Sequence, residues 1–298
     1  MYSEKLEEVI SAALADGNLT EQKRNIIKRR AEKEGEDAEE VMMIVEARLL
    51  GQTKVQPKQT APKSEVVKET AADGDFVETV NGVSFKMIKV EGGKFTMFSK
   101  SQDTGIPAKP QEVMLDDYYI CETVVTQELW KAVMGCNFPI LSFEGDKLPV
   151  NNISWEESYQ FINLLNAFTN KKYHLPSEAQ WEYAAIGGKK SHGFKHAGSD
   201  DIKKVGWTNV NEMKPVAQLM PNELGLYDMS GNCYEFCEDN LVENPILNRT
   251  KNPIIRTTPR AFRIIRSTPF NSPVISVGDR MWCPYDLRQE SFSFRIAL

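Results

Sequence analysis

The sequence predicts an α+β domain with a large share of irregular backbone, preceded by a small helical module. Three observations carry that reading. Residues 3–50 place apolar side chains at helical spacing. Residues 51–75 show no apolar periodicity and hold two prolines among lysines and glutamines. From Phe76 onward, short strand-like runs and amphipathic stretches are repeatedly interrupted by Gly, Pro and Asn.

In the first segment, Leu6, Val9, Ile10, Ala13 and Leu14 form one apolar helix face, with Ser3 placed to cap it and Asp16-Gly17 to end it. Thr20 caps a second helix carrying Ile26, Ile27 and Ala31, which Gly35 terminates. Asp37 with Glu40 reads as the capping box of a third, whose inward stripe is Val41, Ile44, Val45 and Leu49. A three-helix module over 1–50 is near the lower limit of independent stability, so it is expected to dock on a partner or to self-associate. Residues 51–75 read as a flexible linker.

The main domain is expected over 76–298. VSFKMIKVEGGKFTM suggests a hairpin around Gly92-Gly93, and VMLDDYYICETVVT suggests another strand pair. Thr126 is placed to cap the helix TQELWKAVMG, and Ser154 to cap SWEESYQFINLLNAFT, with Trp155, Tyr159, Phe161, Ile162 and Leu165 as its packing face. A further helix begins at PSEAQWEYAA, where Pro176 suits the first turn and Ser177 or Glu178 satisfies exposed N–H groups. Around GLYDMSGNCYEF, Gly225 and Gly231 supply tight turns, while Tyr227, Met229, Tyr234 and Phe236 alternate as strand residues.

Composition narrows the function classes. Of 298 residues, 41% are hydrophobic and 26% charged, as in ordinary globular protein. The acidic, amphipathic start lacks the basic and unbroken apolar regions of a secretory signal, and no run is long enough to span a bilayer, so a cytoplasmic chain without membrane insertion is expected. Five cysteines argue for reduced thiols rather than a disulfide framework. A net charge of -6 argues against nucleic acid as a partner, although residues 241–298 hold nine Lys/Arg against four Asp/Glu. No P-loop, dinucleotide glycine fingerprint or G-x-S-x-G elbow occurs.

YHLPSEAQWEYAAIGG and PNELGLYDMSGNCYEFCED, supported by GGKFTM, VTQELWKAVMG, LPVNNISWEES and the closing SFSFRIAL, resemble the formylglycine-generating enzyme family, also called the sulfatase-modifying factor family. The resemblance spans Phe76 to Leu298 and implies an elaborated C-type-lectin-like domain. ALADGNLTEQKR, more weakly, resembles a turn of small tellurite-resistance-like helical modules. Asp16 and Asn18 there lack the glycine and distal glutamate offsets of a calcium loop, so a plain helix-hairpin turn is expected.

The resemblance implies a structural calcium held by Asp228, by the carbonyls of Gly231 and Cys233, and by Glu235. Two carboxylates plus carbonyls on a tight turn suit a hard cation. The alternative is that Asp228 caps its own turn and Glu235 pairs with an arginine. A second family calcium site has no ligands assigned here, because VGWTNVNEMKP is shortened.

The family's oxidation of a substrate cysteine to formylglycine needs two cysteines spaced C-x-x-x-x-C to hold Cu(I). Aligned on Arg263 and Arg266, those positions are Ser272 and Val277, so no copper is expected. Cys233 and Cys237 read as core thiols, with a metal or redox pair as the alternative. His174, His192 and His196 are the only histidines. The last two lie in KKSHGFKHAGSDD, where Gly193 and Gly198 make an exposed loop rather than a zinc-binding helix. Glu122, Glu156 and Glu157 read as solvated charges.

The leading expectation is a catalytically degenerate domain serving as a binding or adaptor module for a protein or peptide, with glycan as an alternative ligand. Its binding face is expected on the segment that would have formed the catalytic cleft: Phe270, Asn271, Ser272, Pro273, Val274, Ile275, Ser276, Met281, Trp282, Tyr285 and Arg288, with a core role as the alternative for Phe270 and for Trp282. Departures from the family pattern packed between RIIR and SFSFRIAL raise the idea of a retroelement-diversified surface. The alternatives are an enzyme of the same superfamily with altered chemistry, and a structural or regulatory subunit acting through the N-terminal helices.

Overall fold

The computed structural model describes residues 6, 9–10, 14, 19–38, 41–42, 44–45, 74–98, 109–135, 139–242, 250–258, 261–273 and 276–298. The expected cap and end of the first helix, Glu40, Leu49, the linker up to residue 73, Cys136, Val274 and Ile275 lie outside the described residues. The described residues fall into two compact units, one within Met1–Val67 and Asn163–Lys171, the other within Lys68–Ile162 and Lys172–Leu298. Among them, no helix is long and apolar enough to cross a membrane.

In the first unit, helix α1 (Glu21–Lys33) starts where Thr20 accepts a hydrogen bond from the Lys23 N–H at 3.4 Å and stops before Gly35, at φ 78°. Leu6, Ile10, Leu14, Leu19, Ile27, Ala31, Val41, Met42 and Val45 share one core. Ile26 is left 55% exposed on the far side of α1.

The second unit builds three small sheets. β1 (Phe76–Val80), β2 (Val83–Val90) and β5 (Tyr118–Cys121) form one, in the order β1-β2-β5; β3 (Lys94–Met97) and β4 (Gln111–Met114) form a second. Neither hairpin expected from the sequence exists. β2 pairs antiparallel with β1 and β5, and β3 pairs with β4. The β1–β2 turn is Asn81-Gly82, both left-handed at φ 49° and 85°, which is the asparagine-glycine hairpin signal. Gly92 serves packing instead: a Cβ there would lie 2.2 Å from the Leu115 carbonyl oxygen.

The third sheet has the order β8-β7-β6-β9, from β6 (Tyr234–Asn240), β7 (Arg263–Arg266), β8 (Met281–Cys283) and β9 (Phe292–Ser293). β6 begins only at Tyr234, so Tyr227 and Met229 stand in the preceding turns rather than in a strand.

The helices are α2 (Gln127–Met134), α3 (Trp155–Thr169), α4 (Glu178–Ala185) and the short α5 (Ile202–Val205). Thr126 caps α2, and Ser177 caps α4 in a reciprocal box with Gln180. Ser154 and Glu157 exchange hydrogen bonds at the start of α3. Trp130 of α2, Phe161 of α3 and Phe294 form a ring cluster with centroids 5.3–6.3 Å apart. Burying each such ring stabilises by about 1.5–3 kcal/mol. Tyr159, expected on the packing face, is 39% exposed and stacks on Trp155 instead.

Candidate functional site

The turn entering β6 is made by three left-handed residues, Asp228 (φ 57°), Gly231 (φ 105°) and Asn232 (φ 67°). Glycine is required at 231, where a Cβ would meet the Trp207 carbonyl oxygen at 2.7 Å. Asn232 fixes the neighbouring loop by accepting from Lys214 N–H and donating to its carbonyl, both at 2.9 Å.

Glu235 then points into the interior. Its carboxylate accepts from Arg295 Nε at 2.6 Å, Arg295 Nη2 at 2.8 Å and Trp181 Nε1 at 2.7 Å. Arg295 spends its remaining donors on the carbonyls of Cys121, Glu122 and Tyr227. Asp228 is different. Its Oδ2 accepts from Ala217 N–H at 2.9 Å, whereas its buried Oδ1 has no partner among the described residues. Burial pushes its carboxyl up to about 6.

Arg295 pairs with Glu235 and acts on Asp228 only through space, which leaves the Asp228 carboxylate without an ion-pair partner among the described residues and one of its oxygens orphaned. That fits a cation on the Asp228 side. On the Glu235 side only Oε1, which accepts a single bond, has spare capacity. Among the described residues, no three His, Cys, Asp or Glu side chains converge on a metal-sized site, so a cation would also depend on backbone carbonyls.

A second ionic cluster locks the segment from Arg266 to Arg280. Arg280 donates to Glu178 through Nε at 2.7 Å and Nη2 at 2.8 Å. Arg266 joins Glu178 at 2.9 Å, Glu182 at 3.0 Å and the Val277 carbonyl at 3.0 Å. Burial alone raises the Glu178 carboxyl, but Arg280 and Arg266 outweigh it and hold it below the ordinary range. Burial wins at Glu182, which is raised.

These contacts sort the expected binding residues. Phe270 and Ser276 are buried, at 1% and 6% exposure, and are corrected from surface to interior. Phe270 packs edge-on against Phe143 at 5.3 Å, in a cluster with Val124, Met213 and Cys233. Its own N–H and carbonyl are bonded to Asn232 and Val210, and Ser276 donates its N–H to Asp279. Asn271 and Pro273 are exposed, and Ser272 is half-buried, its carbonyl accepting from Asn209. Val277 is in the main core.

Met281 and Tyr285 are half-buried, while Trp282 is 43% exposed. Arg288 is exposed and forms a bidentate pair with Glu157, both bonds at 2.8 Å. The expected face therefore divides, one part held by the 209–210 loop and the other by the start of α3.

Phe262 completes the second part and was not singled out from the sequence. Its ring meets Trp282 edge-on at 4.5 Å, and it is 46% exposed. The signal was available, because Phe262 precedes the RIIR strand at a period-2 position with Ile264, which pairs Trp282. β8 is an edge strand. Its inner side bonds β7, and among the described residues no other backbone hydrogen bond reaches Met281–Cys283.

The described cysteines are buried, and burial pushes Cys121 to about 11, Cys283 to about 12, and Cys233 and Cys237 upward. Such thiols are unreactive. His192 is exposed, but His196, expected in solvent, is buried at 3%, its N–H bonded to Ser199.

The architecture defines the class first: an elaborated C-type-lectin-like α+β domain. Among solved structures it is similar to Treponema denticola variable protein 1, with TM-score 0.64 and 25% identity over 75% of this chain and 98% of that one. PvdO from Pseudomonas aeruginosa, at TM-score 0.62 and 22% identity over 71% of this chain and 93% of that one, shares the fold. The model of the sulfatase-modifying factor enzyme 1-like domain matches residues 75–298, and the chain belongs to that family. Among curated relatives, "Chaperone protein LppX" of Paenibacillus barcinonensis is 31% identical over 52% of this chain and 71% of its own length. The mouse formylglycine-generating enzyme is 25% identical over 62% of this chain, which spans only 54% of that enzyme.

Proposed function

We propose that this domain is a binding module that takes an extended peptide of a partner protein along the β8 edge, between Trp282 and Phe262. The supporting observation is the coincidence of a strand edge unpaired among the described residues with two large aromatic rings more than 40% exposed. Strand addition draws affinity from main-chain hydrogen bonds and specificity from side-chain contacts at alternate positions. Exposed aromatic rings are the side chains that most often dominate such contacts. A 31% identical relative named as a chaperone and a fold neighbour named as a variable protein are in keeping with recognition rather than catalysis.

In this reading the oxidative chemistry of the family is lost. Ser272 and Val277 stand where its cysteines would be, and the Arg266–Val277 bond holds the second of these positions in the core. A calcium ion is proposed at Asp228 and Glu235 with the carbonyls of Gly231 and Cys233. It would supply structural charge compensation and no step of chemistry.

A random peptide display selection on the full chain tests the proposal. Selected peptides should bind at least tenfold more weakly to Trp282→Ala/Phe262→Ala, with an unchanged unfolding midpoint. Equal binding to both proteins, or turnover of a cysteine peptide to formylglycine by the wild-type chain, would overturn it.

A further inference from the structure

A second concavity lies away from the β8 edge, where no assigned residue falls. It opens between the β1-β2-β5 sheet and the first turn of α2 and encloses about 490 Å³, within the range of small-molecule sites. Its floor is apolar: Phe85, Cys121, Val124 and Leu129 line it and are all buried. Its walls are charged in a balanced way. On the sheet side, Lys86 lies between Glu122 at 3.7 Å and Asp75 at 3.2 Å, the latter outside the pocket lining; on the helix side, Lys147 pairs with Glu128.

The backbone around this pocket is held firmly. Arg295 donates to the carbonyls of Cys121 and Glu122, two consecutive lining residues. Ala217, on the opposite wall, sits at φ 59°, in the left-handed region that a residue with a Cβ seldom occupies. Its N–H bond to Asp228 keeps it there. Non-glycine residues held in that region cluster at ligand clamps.

We propose that this pocket binds a small zwitterion with an apolar side chain: an aliphatic or aromatic amino acid. The apolar floor selects a ligand with a hydrophobic body. A pure anion would meet Glu122 and Glu128, and a pure cation would meet Lys86 and Lys147. A zwitterion places its ammonium toward the carboxylates and its carboxylate toward the lysines. The Lys86–Glu122 contact is long and each side chain is about one third exposed, so exchanging it for ligand contacts costs little while Lys86 keeps its closer pair with Asp75.

Ligand-observed and protein-observed NMR titrations on the full chain test this. The probes are L-leucine and L-phenylalanine, with glycine, 4-methylpentanoate and 3-methylbutylamine as controls lacking the side chain, the ammonium and the carboxylate. Leucine or phenylalanine is expected to saturate in the millimolar range or below, with each control weaker by about tenfold, or 1.4 kcal/mol. Lys86→Met and Glu122→Gln, both partly exposed and tolerable to the fold, should each weaken binding at least fivefold. Trp282→Ala should leave it unchanged, which separates this site from the β8 edge. No saturable shift with either amino acid, equal binding of the controls, or indifference to both pocket substitutions would overturn the proposal.

Discussion

Arg295 grips Glu235 through two parallel hydrogen bonds, Nε to Oε2 at 2.6 Å and Nη2 to Oε1 at 2.8 Å, with both side chains at 0% exposure. Removing one member strands the other as a buried charge. Arg295→Met is therefore expected to cost about 3–5 kcal/mol of unfolding free energy. Arg295→Lys should recover little of it, because a single ammonium cannot reproduce the fork that also holds three carbonyls. Urea titrations of the two variants check this, and full recovery by lysine would show that charge alone is at work.

The orphaned Asp228 oxygen leads to a calcium prediction. Chelator-treated protein should gain thermal stability on adding calcium, and Asp228→Asn should abolish the gain. Because burial raises the Asp228 carboxyl to about 6, a cation must displace a proton below that pH. The stabilisation should therefore be larger at neutral pH than near pH 5. Calorimetry in matched buffers reads it directly.

Asp239 gives a pH dependence of its own. It accepts the Glu178 and Ile255 N–H groups, both at 2.8 Å, and faces Glu178, Glu238 and Arg263. Burial raises its carboxyl from 3.8 to about 7. A folded value above the unfolded one means that the native state holds the proton more tightly. The contribution is complete below about pH 4 and is lost as pH rises through 7. Asp239→Asn should flatten this fall in unfolding free energy, even if its baseline is lower.

Two glycine substitutions separate collision from conformational strain. At Gly206 a Cβ would lie 1.6 Å from the Ser230 carbonyl oxygen, so Gly206→Ala should prevent folding or cost more than about 3 kcal/mol. At Gly225, with φ 87° and nothing within 4 Å, alanine should cost only about 1–2 kcal/mol. Solubility and denaturant midpoints distinguish the two.

What the sequence made readable was local. Thr20, Thr126 and Ser177 cap helices because a cap needs only a neighbour three residues on. Strand pairing is not legible where the partner is distant: β2 bonds β5, and Gly92 admits the Leu115–Asp116 backbone, and Gly93 the Tyr183 hydroxyl, instead of turning. Phe270 misled because an aromatic ring serves a core and an interface equally well, and only its contact with Phe143 decides. For the basic last quarter, the family resemblance implies mostly structural arginines, with local anion binding as the alternative. Arg266, Arg280 and Arg295 are indeed wholly buried against Glu178, Glu182 and Glu235, so much of the asymmetry is consumed inside the fold.

The residues from Phe292 to Leu298 are stitched to Tyr119, Cys121, Val125 and His174 by backbone hydrogen bonds, and Arg295 reaches a carbonyl 174 residues earlier. During synthesis, the countercharge for Glu235 emerges from the ribosome after nearly every other part of the domain. Until then the nascent chain holds a carboxylate that it cannot bury, and the sheet of β5 lacks its final seam. Closure of this domain thus waits for its own last segment, and a nascent chain stalled short of Arg295 lacks the backbone seam to Tyr119, Cys121, Val125 and His174.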